Sequence, residues 1–349
     1  MSYARRIGSV MVAGLVASVV ALGPELGAQS VANNPYKAIY GWEKLPAGRK
    51  LGVASGIKPD PDGKHMWILD RCGANDCAGT NVDPILKLDM DGKFVSSFGK
   101  GVLAWPHGFF IGRDGNVWVT EGAPAGDKRG EAGFKIGKGH QVFKFSPDGK
   151  ILMTLGTAGV AGSDATHFNG PTGVAVAPNG DIWITDGHRG GNNRLVRFSK
   201  DGKFIHAWGG GIGSESAEAG RFNDPHDIAI DSQGRIFVAD RGNNRTQIFD
   251  QNGKFVSQWT QFGRPSTVFL DNNDQLYVGD GMSDARWNPG WERGIRIGDA
   301  KSGWVTAFIP DGEVDNGSGV EFLSVDNQGN IYAGEVGRQR LVKYIRHRP

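Results

Sequence analysis

The strongest constraint on this chain is a unit that recurs six times. Its cores read PDGKHMWILD (61–70), RDGNVWVTE (113–121), PNGDIWITD (178–186), SQGRIFVAD (232–240), NNDQLYVGD (272–280) and NQGNIYAGE (327–335). Each is a polar turn followed by an aromatic-rich strand that ends in an acid, and a further strand closing in a polar turn comes after it. Turns at 91–93, 148–150, 201–203 and 252–254 fall at spacings of 57, 53 and 51 residues. About fifty residues carrying four short strands suit one blade of a propeller, whose sheets bury both faces only against their neighbours in the ring. The expected fold class is therefore all-β, a six-bladed β-propeller. The last unit is one strand short, so Ala38–Leu45 ahead of the first unit is expected to supply the outer strand, closing the ring and covering an exposed edge.

At 349 residues the length alone suggests two domains, but a closed repeat absorbs it in one. Fifty-five Gly and ten Trp favour tight turns and large side chains packed between sheets, with almost no helix. Thirty-nine Lys+Arg against 37 Asp+Glu leave a net charge of +2, without the basic excess a nucleic-acid backbone requires, so no nucleic-acid partner is expected.

The first residues carry Arg5 and Arg6, an apolar run from about Val10 to Leu22 and small residues near Ala28. That pattern reads as a secretory signal over 1–28 ahead of a single propeller domain over 29–349. The arginine pair fits twin-arginine export, and the apolar run is short for a membrane anchor. A secreted or periplasmic protein with no membrane association after cleavage is expected. Cys72 and Cys77, the two cysteines, lie in a polar loop without further metal ligands, so they are expected to form a local disulfide.

Counting eight residues back from the turn of each unit aligns Ser55, His107, Thr172, His226, Ser266 and Glu321 at the start of each innermost strand. These starts converge on one mouth of the central channel. Blades 2, 4 and 6 then offer His107, His226 and Glu321 about a pseudo-threefold axis, a His2Glu set able to hold a divalent metal, with zinc foremost. Either histidine alone reads more plainly as a channel-lining residue; three ligand types at one register favour a metal. The prolines before His107 and His226 fix the local backbone, though Pro171 and Pro265 hold the same place beside Thr172 and Ser266. At the corners after the second strands lie Arg71, His188 and Arg241. The arginines would clamp an anionic substrate, and His188 is the candidate proton acceptor or donor. The other five histidines fall at turns or blade exteriors and receive no role.

The N-x-R or N-R pairs before apolar strands (Asn193-Arg194-Leu195 and Asn244-Arg245, with Arg340-Leu341 as a degenerate copy) resemble NHL repeats. The runs Trp105–Glu121, Ile184–Phe198 and Asp224–Arg245 resemble more narrowly the peptidyl-α-hydroxyglycine α-amidating lyases and their bacterial look-alikes. That resemblance implies zinc at His107 and His226, and substrate-binding arginines at Arg71 and Arg241. Two departures stand out: the family's third zinc histidine aligns with Glu321, and its catalytic tyrosine with His188. The acid that helps hold a structural calcium becomes Phe322, so calcium is not expected. The implied reaction is C–N cleavage of an α-hydroxyglycine-like carbinolamide, giving an amide and glyoxylate, on a small-molecule or peptide substrate with an anionic group. The alternatives are a metal-dependent hydrolase of the lactonase or esterase kind and a non-catalytic NHL interaction module. The sequence does not indicate an oligomeric state.

Overall fold

The computed structural model describes residues 34–211, 213–313 and 318–347; the expected leader over 1–28 lies outside them. Six four-stranded antiparallel sheets follow one another as the blades of a β-propeller. Within the first five blades the strands run in sequence order from the innermost outward, and the sixth takes its outermost strand from the start of the chain. The innermost six are Ala54–Pro59, Pro106–Ile111, Pro171–Val176, Pro225–Ile230, Thr267–Leu270 and Val320–Val325.

The second strands are buried along their length, Ile182–Asp186 and Ile236–Asp240 at every position and His65–Asp70 and Gln275–Asp280 at all but the first. They read as continuous apolar runs because a neighbouring blade covers each face. One aromatic at a fixed place in each second strand fills the seam with an adjoining blade. Trp67 packs with Phe109 and Val119, Trp118 with Val174 and Ile184, Trp183 with Ile228 and Val238, and Phe237 with Val268 and Val278. Tyr277 packs with Leu323 and Ile331, and Tyr332 with Ile57 and Met66, which completes the circle. The outermost strands, for example Phe94–Phe98 and Phe204–Gly209, are largely exposed.

The ring closes as expected, with a shift in extent. Tyr36–Tyr40 pairs antiparallel with Arg340–Arg346 and forms the outer strand of the sixth blade. The strand stops before Gly41, which takes a positive φ of 63°. Trp42 then turns into the core against Tyr332, and Lys44 bridges to Lys93. Among the described residues helix is confined to Glu131–Lys135 and a 3-10 turn at Arg241–Asn243.

Cys72 and Cys77 form a disulfide, with Cα atoms 5.2 Å apart. Among the described residues no helix is long and apolar enough to cross a membrane. Thiol titration of the denatured, unreduced protein should therefore find no reactive thiol. Because the bond closes a loop spanning only five positions, its reduction should lower stability by about 2 kcal/mol in a denaturant titration, the small end for a disulfide.

Candidate functional site

The acid that ends the second strand builds the mouth in the first five blades. Its carboxylate accepts backbone N–H groups from the segment leading into the innermost strand of the same blade: Asp70 from Gly52, Asp186 from Asn169, Asp240 from Asn223 and Asp280 from Arg264. Glu121 accepts from both Ala104 and Trp105 at 2.7 Å. The repeated arginines hold these acids in turn, Arg194 on Asp186, Arg245 on Asp240 and Arg340 on Glu335. Two sequence signatures of the repeat thus have one purpose: they fix where each innermost strand starts.

At those starts the pairing with the second strand slips. The register breaks between Ala54 and Gly56, Pro106 and Phe109, Pro171 and Gly173, Pro225 and Asp227, and Val320 and Phe322. Ser55, His107, Thr172, His226 and Glu321 fall inside these irregularities, which re-aim a side chain out of the pleat. Glycines make room behind His107. A Cβ on Gly122 would stand 2.4 Å from the Cβ of His107, and one on Gly108 would stand 2.1 Å from the carbonyl oxygen of Thr172.

His107, His188 and His226 meet. Their rings lie 4.7–5.4 Å apart by centroid, and one nitrogen from each falls within 4.8 Å of the others. Nδ1 of His107 is 3.0 Å from the carbonyl oxygen of Thr172, and Nδ1 of His226 is 2.6 Å from that of Ser266. Each Nδ1 must therefore be the protonated nitrogen and donate, which leaves Nε2 with its lone pair, the arrangement of a metal-binding histidine. Nε2 of His226 and Nδ1 of His188 are buried without a hydrogen-bond partner. A divalent cation of the zinc type fits this donor set.

Glu321 adjoins the cluster. Its Oε1 is 3.2 Å from Nε2 of His226, outside hydrogen-bond geometry, and accepts from Nη1 of Arg241 at 2.8 Å. Nε of Arg241 donates to Asp224 at 2.9 Å. Arg241 is fully buried and has two carboxylates as counter-ions, so it braces the site rather than reaching freely into the mouth. Arg71 differs. It stacks 3.6 Å over Trp105 and donates Nε to the carbonyl of Pro106 and Nη1 to Asn75, with no carboxylate in contact among the described residues.

All six residues singled out in the sequence are thus brought to one mouth. Four that were not also belong to it. Trp105 lies between Arg71 and the Arg129 guanidinium and packs on His107 and His188. Arg189 donates its N–H to Asp224, the counter-ion of Arg241. Trp105 and Asp224 sit within quoted motifs and Arg189 follows His188, so each was within reach. Arg129 comes from the stretch between Glu121 and Val142, which has no repeat register to align. Phe322 packs 5.2 Å from the His107 ring, an apolar wall.

Burial pushes His107 well below the usual imidazole range, helped by His226 and Arg71. His188 is lowered likewise, by burial first and then by His107, Arg241 and His226. Burial alone would raise the Glu321 carboxyl, but Arg241 and the histidines hold it well below the usual carboxylate range. Burial, then Arg129, brings Arg71 down to about 9, the mark of a guanidinium short of counter-charge. The mouth thus holds His107 and His188 as neutral imidazoles, one ionised glutamate and an arginine in want of an anion.

These lowered imidazoles affect stability. In the metal-free protein the unfolded chain takes up protons below about pH 6.5 that folded His107 and His188 refuse, so their contribution is complete above that pH and lost as pH falls. A His188→Gln variant should lose about 1 kcal/mol less than wild type per pH unit between pH 6 and 5, as read by denaturant titration of chelator-treated protein. Equal slopes would mean His188 is not held neutral.

The family model for the NHL repeat matches residues 168–198 and 222–249. Human NHL repeat-containing protein 3 is 30% identical over 332 residues, 89% of this chain and 84% of that protein. Peptidyl-glycine alpha-amidating monooxygenase A of Xenopus laevis is 36% identical over 324 residues, 84% of this chain but 32% of that protein, so the chain spans about a third of its length. A probable peptidyl-alpha-hydroxyglycine alpha-amidating lyase of Caenorhabditis elegans is 31% identical over 239 residues, 64% of this chain and 63% of that protein. Among solved structures, a gluconolactonase of Xanthomonas campestris superposes with a TM-score of 0.57 at 14% identity, covering 88% of this chain and 89% of that one, which speaks for the fold alone.

Proposed function

This chain belongs to the NHL-repeat family, and from that premise we propose that it is a metal-dependent lyase cleaving the C–N bond of an α-hydroxyglycine-like carbinolamide to an amide and glyoxylate. The observation that carries the reading is the buried trio His107, His188 and His226, with one nitrogen of each within 4.8 Å of the others, in a chain whose relatives include named amidating lyases. The roles first expected of His188 and Glu321 are exchanged in this reading. The three imidazoles would hold the ion, and Glu321 would serve as proton acceptor, since its charge is already matched by Arg241. When bound, a zinc-type ion supplies Lewis-acid polarisation of substrate oxygen.

The remaining work falls to the protein. In R–CO–NH–CH(OH)–COO⁻ the hydroxyl proton passes to Glu321 as the C–N bond breaks with its electron pair leaving on nitrogen, and Glu321 returns that proton to the departing amide nitrogen, so the products are R–CO–NH2 and glyoxylate and Glu321 is again ionised. Glu321 is ionised at neutral pH because Arg241 faces it, and Asp224 on the other side of Arg241 fixes that guanidinium. Arg71, rigid on Trp105, meets the substrate carboxylate, and Arg189 and Arg129 add positive potential around it. The Cys72–Cys77 disulfide supports a working place outside the reducing cytosol.

Incubation with an N-acyl-α-hydroxyglycine should release glyoxylate and the amide in equal amounts. Turnover of esters or lactones without glyoxylate release would instead identify a hydrolase. Arg71→Ala should retain the metal and lose about 10- to 100-fold in kcat/KM, the cost of one charge-assisted contact. Metal loss in that variant would move Arg71 from substrate binding to site architecture.

A further inference from the structure

The channel has a second mouth. Four residues on from His107, about 13 Å along an innermost strand, Ile111 belongs to a separate cavity of about 530 Å³, within the size range of small-molecule sites. Its walls include Phe110, Ile111, Val176, Ile230, Phe269 and Leu270, all partly exposed. Lys58, itself partly exposed, lines it, and its Nζ donates to the carbonyl of Leu323 at 3.2 Å and lies 5.2 Å from the Phe269 ring. An ammonium has three protons to donate, and among the described residues this one has a single acceptor and no carboxylate in contact. The carboxylate of Asp227, which faces it at longer range, is engaged by the N–H groups of Ile228 and Val268 and the hydroxyl of Thr267. A half-buried ammonium with protons to spare gains most from an anion brought alongside it.

The ionisable residues lining the cavity are four bases, Lys58, Arg113, Lys144 and Lys200, against Asp114 and Asp231. Asp114 is near Lys144 and Asp231 is bound by Arg235, so the acids are matched and the rim stays positive. We propose that this second mouth is a binding site for a small amphipathic carboxylate, its head on Lys58 and its apolar body along Phe110, Val176 and Phe269. One half-buried point charge beside an apolar wall suits a monoanion with a hydrocarbon body better than a compact, multiply charged phosphate, which favours forked arginine contacts. The site is independent of the histidine mouth and of the reaction assigned there.

Calorimetric titration of the full chain tests this, with octanoate as probe, 1-octanol as its neutral counterpart and inorganic phosphate as the compact anion. Octanoate should bind the wild type, and Lys58→Met should raise its Kd at least about 10-fold, equivalent to about 1.4 kcal/mol, while leaving octanol affinity unchanged. Val176→Trp, which fills the cavity from its wall, should remove binding of both, and glyoxylate release or an unchanged melting curve shows that each variant is folded. The proposal is overturned if wild-type protein fails to bind millimolar octanoate. It is also overturned if Lys58→Met and Val176→Trp both bind octanoate as tightly as wild type, or if phosphate binds more tightly than octanoate.

Discussion

His226→Ala should remove the metal and lower kcat/KM by about 10³-fold or more, roughly 4 kcal/mol of transition-state stabilisation. The effect is expected to be large because His226 is fixed on every side. It is fully buried, its Nδ1 is tied to the Ser266 carbonyl, and its Nε2 is left without a partner between the other two imidazoles and Glu321. A histidine with only a packing role would not be held with a bare nitrogen in the interior, where an unsatisfied polar atom costs about 1–3 kcal/mol. Elemental analysis of the purified variant checks the first half of the prediction and a glyoxylate assay the second. Because the substitution also removes that orphaned nitrogen, the metal-free variant should be no less stable than metal-free wild type by more than a small cavity costs. A variant that keeps a full equivalent of metal would show that His226 is not a ligand.

Arg241→Met should cost about 3–5 kcal/mol of stability, because it leaves Asp224 and Glu321 as two buried carboxylates without their shared cation. The two acids come from different blades, so this guanidinium joins the fourth blade to the sixth across the mouth. The pH dependence discriminates further. In the wild type Arg241 holds both carboxyls below their usual range, so the stability they contribute is present at neutral pH and lost as pH falls towards their folded values. Without Arg241 both carboxyls rise, the variant is most handicapped near pH 7, and the gap to wild type narrows on acidification to about pH 4. Adding Glu321→Gln to Arg241→Met should recover part of the loss by removing one stranded charge, as read by denaturant titration. A single variant as stable as wild type at pH 7 would mean that the two carboxylates find other partners.

The ring itself was legible because its cause is local and repeated. Each aromatic of the second strands fills one seam, as Trp183 does beside Ile228, and in five blades the terminal acid pins the entry to the innermost strand, as Asp240 does through Asn223. Six copies of the unit give the blade count and the register, and the register alone aligned His107, His226 and Glu321 in the sequence. What the repeat cannot show is what happens where it breaks. The irregular pairing at each strand start turns those side chains into the channel, and a count of residues places them there without giving their direction. His188 entered the trio from a corner loop rather than from the aligned position, so its proximity to His107 and His226 depended on backbone that no period describes. Arg241 illustrates a different limit. Matching corners of blades 1 and 4 suggested two equivalent arginines, but one is engaged by Asp224 and Glu321 and the other stacks on Trp105, because charge pairing is set by neighbours distant in sequence. The closing strand was displaced for a local reason, since Gly41 and Trp42 break the extended run that the pattern continued to Leu45.

The central claim is that the three histidines hold the ion on which C–N cleavage depends. Glyoxylate release from an N-acyl-α-hydroxyglycine, measured on chelator-treated protein before and after titration with zinc, tests it most directly. The account predicts no turnover without metal and recovery that saturates at one equivalent per chain; full activity of the metal-free protein, or none after reloading, would contradict it.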